Sequence, residues 1–82
     1  MADVLLHPDV ETWLQRQQSD LESRIRSKLA DAGDNPEFYL KPLTGRDTHR
    51  LRIGDYRAEI EWDKQHDELR VLAIGHRDGF YD

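Results

Sequence analysis

The spacing of apolar residues changes once along this 82-residue chain, and the change separates a helical part from a strand-forming part. Val4, Leu5 and Leu6 make a short apolar run closed by His7 and Pro8, which reads as a brief first strand. Val10, Trp13, Leu14 and Gln17 follow at helical spacing. Pro8 suits the first helical turn, where its missing N–H is not needed, and Asp9 and Glu11 sit near the positive end of the helix. Ser19-Asp20-Leu21-Glu22 has the form of a capping box and predicts a fresh helix start, with Leu21, Ile25 and Leu29 as its apolar stripe. Gly33 stands where a helix C-cap is expected. Two antiparallel helices joined tightly near Gln18 account for the pattern.

Asp34-Asn35-Pro36 reads as a turn, and Pro42 and Gly45 predict a mostly irregular stretch over residues 34–47. From His49 the period becomes two. His49 to Ile53 alternates, Gly54-Asp55 is a two-residue hairpin turn signal, and Tyr56 to Trp62 alternates again. Residues 63–67 form a polar turn, and 69–75 supply a last strand. The predicted order is β-α-α-β-β-β, an α+β domain with a helical hairpin packed on one face of a small antiparallel sheet. A chain of this length makes a single domain, expected to span residues 1–82.

With Gly54-Asp55 as the loop, Ile53 opposes Tyr56, Arg52 opposes Arg57, Leu51 opposes Ala58 and Arg50 opposes Glu59. Leu51, Ile53, Tyr56, Ala58, Ile60 and Trp62 then line one face for the helices to cover. Arg50, Arg52, Arg57, Glu59 and Glu61 line the other. Directly opposed arginines repel by roughly 0.2–1 kcal/mol, a local flaw unless a polyanion or carboxylate sits between them. The bland account is a solvated strand face with Arg50–Glu59 as a surface ion pair of little worth. The sharper account is a phosphate cradle, because guanidinium binds phosphate bidentately and stays charged.

Charge distribution favours a local site over long-range attraction. The formal net charge is −5, yet residues 41–58 hold 5 bases (Lys41, Arg46, Arg50, Arg52, Arg57) against 2 acids. An acidic body with a basic centre binds RNA locally with weak steering, and the acidic surface itself serves solubility. The absence of cysteine excludes disulfides and thiolate metal sites and makes a reducing cytoplasm the expectation. No signal peptide or membrane span is expected from the apolar runs. His7, His49, His66 and His76 are scattered without metal-ligand spacing, so neither metal nor cofactor is expected. Trp13 and Trp62 are expected in the core, and Gly75 is expected to allow close approach near the site.

Two segments together carry a family resemblance: Leu43-Thr-Gly with His49-Arg-Leu-Arg-Ile-Gly-Asp-Tyr-Arg57, and Val71-Leu-Ala-Ile-Gly-His-Arg-Asp-Gly-Phe-Tyr81. In that order and spacing they resemble the RelE/ParE superfamily of toxin–antitoxin systems, and the resemblance extends over nearly the whole chain. RelE-like members are ribosome-dependent endoribonucleases that cut mRNA in the ribosomal A site by attack of a ribose 2′-hydroxyl on the adjacent phosphate. The resemblance therefore implies charge stabilisation at phosphorus, a proton acceptor and a proton donor. Arg57 and Arg77 match the phosphate-stabilising arginines, and Tyr81 matches the closing tyrosine. Arg50 and Arg52 stand where the best-known bacterial form has lysines; with Lys41 and Arg46 they are candidate phosphate-binding residues.

That substitution removes the lysine that would lose a proton, since arginine stays protonated near neutral pH. His76 and Glu59 are the candidates for proton transfer, although strand alternation turns His76 away from Arg77 and Glu59 also suits neutralisation of Arg50. The partners implied are a cognate antitoxin with a helical, acidic segment, the ribosome and mRNA. Two other readings belong to the same fold: a ParE-like toxin that binds DNA gyrase without nuclease activity, and an inactive member that keeps antitoxin binding.

Overall fold

The computed structural model describes residues 1–76. Strand β1 (Asp3–Leu6) leads through α1 (Pro8–Gln15) and α2 (Ser19–Asp34) to a single helical turn, α3 (Pro36–Tyr39). Four strands complete the described chain: β2 (Leu40–Pro42), β3 (His49–Ile53), β4 (Tyr56–Asp63) and β5 (Glu68–His76). The sheet order is β1-β5-β4-β3-β2. No helix among the described residues is long and apolar enough to cross a membrane.

Local chemistry explains both ends of the first helix. His7 Nδ1 accepts from the Asp9 N–H at 3.1 Å, which satisfies one of the orphan donors of the first turn beside Pro8. At the other end no glycine is present; the Gln17 side-chain amide donates to the Trp13 carbonyl at 2.9 Å and closes the turn. The second helix starts one residue earlier than a box on Ser19 requires, with Gln18 as N-cap and no side-chain cap bond. Glu22 is instead held by Arg26, whose guanidinium also reaches Glu11 of α1 at 2.7 Å and ties the two helices together.

The helical hairpin on one face of a sheet is as the periodicity predicts, and three features differ. The sheet is mixed rather than antiparallel, because β1 runs parallel to β5, Leu6 beside Val71. The helices that follow β1 carry the chain back across the sheet and so permit a parallel pairing at its edge, and periodicity carries no information on strand direction. Residues 34–47 are not mostly irregular: Pro36 starts α3, and Leu40, buried with the core, lets β2 pair with β3 in the register Leu40–Leu51. Gly33 is no C-cap. It lies inside α2, buried against β1, where an added Cβ would fall 2.8 Å from the Ala2 carbonyl oxygen and 2.9 Å from Val4 Cγ2. The helix ends at Asp34, with Asn35 as its C-cap.

The β3–β4 register is the one read from the turn: Ile53–Tyr56, Arg52–Arg57, Leu51–Ala58 and Arg50–Glu59. Gly54 takes φ +58° while Asp55 stays at negative φ, the requirement of a turn in which the first central residue must be left-handed. Leu51, Ile53, Ala58, Ile60, Leu69 and Val71 are buried on the face that meets Val10, Leu14, Ile25, Leu29 and Ala32 of the helices. Trp13 and Trp62 pack partly buried against this core, as expected.

A β-bulge in β5 sets the composition of the open face. Glu59 pairs with Ala73 and Ile60 with Val71, so Leu72 is the extra residue. Beyond the bulge the alternation is reset. Ile74 joins the helix-covered side opposite Ala58, while Ala73 and Gly75 come to the open face beside Glu59 and Arg57. The cost is Leu72 itself, left 40% exposed.

His49 packs edge-on against Trp62 at 5.5 Å, with its Nδ1 buried and without a hydrogen-bond partner. Burial, and secondarily the charge of Lys64, pushes its pKa below the ordinary 6.5. A folded-state pKa below the unfolded one means that the unfolded chain takes up the proton first. The stability that rests on neutral His49 is therefore complete above about pH 6.5 and is lost as pH falls below it. Thermal melts at pH 7 and pH 5 are expected to differ less for His49→Phe than for the unsubstituted chain; equal differences would contradict this assignment.

Candidate functional site

The open face of the sheet is divided by charge, and the division follows from the register. At one end, Arg70 gathers the acids: its guanidinium donates to Glu61 at 3.2 Å, Asp63 at 3.0 Å and Glu68 at 2.7 Å. His66 binds Asp63 through both its ring and its backbone N–H, and with Arg70 it holds the Asp63 carboxyl at a pKa of about 2. The acidic residues here are thus engaged with one another's partners.

The other end is basic. Lys41 of β2 pairs with Arg50 of β3, and Arg50 with Glu59 of β4, so these three share one row across the face, continued by Ala73 of β5. The adjacent row is Arg52, Arg57 and Gly75. Strands lie about 4.8 Å apart, so the four cations fall within reach of one or two phosphates. Lys41 and Arg52 are exposed, and Arg50 and Arg57 are half-buried against their neighbours. Among the described residues, Lys41, Arg50 and Arg52 make no ion pair and no side-chain hydrogen bond, and the Arg50 Nε is buried without an acceptor. An orphan buried donor of this kind costs about 1–3 kcal/mol until an acceptor meets it. Ala73 and Gly75 put small residues at the β5 end of these two rows, beside Glu59 and Arg57.

Glu59 does not serve as the ion-pair partner of Arg50. Its carboxylate, only 15% exposed, accepts from Thr48 Oγ1 at 2.6 Å and from Arg46 Nη1 at 3.4 Å, both on Oε2. Arg46 belongs to the β2–β3 loop, not to a strand, and reaches the face through this contact. Thr48 is the residue that sequence reasoning passed over. Extending the alternation of β3 by one residue beyond His49 places it on the arginine face, but nothing in the pattern shows the bond to Glu59.

His76 ends β5 on the helix-covered side, opposite Tyr56, whose ring it meets edge-on at 5.3 Å. Tyr56 in turn packs on Trp13 at 5.7 Å. His76 is therefore across the sheet from Arg50, Arg52 and Arg57, a placement that the bulge at Leu72 sets. Arg77 and Tyr81, the two candidate catalytic residues from the closing motif, lie outside the described residues. The arrangement supplies fixed positive charge and guanidinium forks, with small residues at the β5 end of the rows. It is suited to holding and neutralising a phosphodiester more than to moving protons.

No family model matches this sequence, and no curated protein matches it. Solved structures do resemble it. A chain of the RelBE2 toxin–antitoxin complex from Mycobacterium tuberculosis superposes with a TM-score of 0.83 at 22% identity, covering 93% of this chain and 98% of that one. The archaeal RelE–RelB complex from Pyrococcus horikoshii gives 0.75 at 23% identity over 93% and 94%. The isolated RelE toxin of E. coli gives 0.73 at 12% identity over 93% and 84%. With identities of 23% or less the likeness is one of architecture, and it is specific: this chain has the fold of the RelE toxins.

Proposed function

We propose that this chain is the toxin of a toxin–antitoxin module, an endoribonuclease that cuts mRNA in the ribosomal A site. The observation that carries the proposal is the cluster of Lys41, Arg50, Arg52 and Arg57 on the sheet face opposite the helices, with the Arg50 Nε buried and lacking an acceptor among the described residues. The RelE fold and the closing Gly75-His76-Arg77 to Tyr81 motif supply its context. In this reading the basic face binds the scissile phosphodiester, and Arg57 and Arg77 neutralise the charge that develops on phosphorus as the 2′-hydroxyl attacks. Tyr81 orients the substrate base or phosphate. With His76 across the sheet and Glu59 engaged by Thr48 and Arg46, the acceleration comes chiefly from electrostatics and alignment. Two of the solved structures that share the fold are toxin–antitoxin complexes, which supports a cognate antitoxin as partner; its acidic segment would cover the same cations.

The test is induction of the chain in translating cells followed by mapping of message ends. Cuts clustered in reading-frame register are expected, and they should disappear with Arg77→Ala. Intact message in the presence of folded protein, together with inhibited supercoiling by gyrase, would transfer the chain to the gyrase-binding reading.

A further inference from the structure

The basic rows of the open face run out at an aromatic corner. Strand β2 is the edge of the sheet, and its ladder with β3 begins at Leu40, opposite Leu51. The row Gly75–Arg57–Arg52 therefore has no β2 member: where the strand would extend to meet Arg52, the chain has turned into α3. That single turn is fixed in place. Leu40 is buried and its N–H donates to the Pro36 carbonyl, while Tyr39 packs against the core with Lys28 of α2 over its ring at 5.1 Å. Phe38 stands edge-on to Tyr39, with 4.9 Å between ring centroids and 83° between planes. It is nevertheless 69% exposed. Among the described residues the other aromatics, Trp13, Tyr39, Tyr56 and Trp62, are all partly buried against the core.

A lone exposed apolar residue is ordinary on a protein surface. Phe38 differs in its placement, at the end of a cation row and close to Lys28, Lys41 and Arg52. Lys41 lies three residues further along, within about 11 Å between Cα atoms. The acid beside it, Glu37, projects about 100° away around the helical turn. Cations that follow a phosphate backbone, with an aromatic ring beside them for a base, are the two halves of a single-strand binding surface. We propose that Phe38 is a base-stacking platform for single-stranded RNA, taking a base that flanks the phosphodiester bound on the basic rows, where the strand leaves the sheet over the β2 edge. Tyr39 behind the ring limits its freedom, so little entropy is lost when a base stacks on it. Every base has a π face, so the stack reads no sequence. The cations set where the strand lies, and Phe38 sets how the flanking nucleotide is presented.

The inference rests on the phosphate-binding reading of the open face, and the experiment separates the two. The probes are a fluorescein-labelled octa-adenylate and the same RNA with abasic internal residues, which keeps the phosphates and removes the bases. Affinities are measured across salt concentrations for the unsubstituted chain, Phe38→Ala, Phe38→Leu, Phe38→Tyr and Arg52→Ala. Phe38→Ala is expected to weaken octa-adenylate binding about 10-fold. The slope of log K against log salt should stay the same, because the ring displaces no counterion. Phe38→Tyr should bind as the unsubstituted chain does, whereas Phe38→Leu, apolar but without a π face, should lose most of the gain. On the abasic RNA the Phe38 variants should all match the unsubstituted chain. Arg52→Ala should lower the slope by about 0.7 on both probes. If Phe38→Ala binds octa-adenylate normally while Arg52→Ala lowers the slope, the phosphate site stands and the stacking role is overturned. It is overturned as well if Phe38→Leu equals Phe38→Tyr, which would make the residue a general apolar contact. Equal weakening of both probes by Phe38→Ala would trace its effect to the fold and overturn it too. If the unsubstituted chain binds neither RNA at low salt, the phosphate-binding reading itself fails and the stacking role falls with it.

Discussion

Replacing Arg57 by alanine is expected to reduce mRNA cleavage in translating cells by about 100-fold or more while leaving a folded protein. The magnitude follows from what a fixed charge does at a reacting phosphate. Charge builds on the equatorial oxygens as the 2′-hydroxyl attacks, and a donor aimed at it in a water-poor site is typically worth 10²–10³ in rate. Arg57 is half-buried and faces Gly75 across the sheet. Stability is expected to change little, because two consequences oppose each other. The alanine loses the packing of the arginine stem, but it also removes the like-charge neighbour of Arg52, worth roughly 0.2–1 kcal/mol. Arg57→Lys separates charge from geometry: it keeps the positive charge and loses the planar fork, so it should fall between the two. Message-end mapping beside thermal melts checks the set. An unaltered cut pattern in folded Arg57→Ala would remove this residue from the chemistry.

The second large effect is on folding. Gly33→Ala should destabilise the chain by about 2 kcal/mol, against the usual rule that alanine stabilises a helix interior. The rule would predict a gain of about 1 kcal/mol from propensity alone. Here the new methyl would lie 2.8 Å from the Ala2 carbonyl oxygen and 2.9 Å from Val4 Cγ2. The nearer obstacle is backbone, which moves only with β1 itself. That strand is tied at this place by the Ala2 N–H bond to the Gly33 carbonyl at 2.7 Å and by its parallel ladder with β5. Displacing α2 from β1 also opens the core around Val4 and Leu29. For a domain of this size the loss corresponds to a fall in Tm of roughly 10 °C. A melting temperature equal to or above that of the unsubstituted chain would show that the helix shifts at no cost. A Gly33→Val variant should be worse than alanine, since it adds bulk at the same contact.

Both predictions depend on positions whose meaning lay at different levels of the sequence. Arg57 was legible: a two-residue turn at Gly54-Asp55 leaves only one register, and alternation then assigns Leu51, Ile53 and Ala58 to the core and Arg50, Arg52 and Arg57 to the other face. Local rules suffice there, because partners in a hairpin are close in sequence. Pro8 at the start of α1 and the stripe of Ile25 and Leu29 were legible for the same reason. Gly33 was not, because the reason for a glycine there is a strand thirty residues earlier in the chain.

The sequence by itself determined the α+β class, the helical hairpin, the β3–β4 register and the gathering of Lys41, Arg50, Arg52 and Arg57 into one basic region. These follow from period, turn chemistry and side-chain charge. Only the tertiary structure decided the parallel seating of β1 on β5, the pairing of β2, the bulge at Leu72 that places Ala73 and Gly75 beside the arginines, and the engagement of Glu59 by Thr48 and Arg46. Each of these is a contact between segments far apart in the chain or a slip of a single residue. Local periodicity is blind to both, and packing selects among the alternatives that it leaves open.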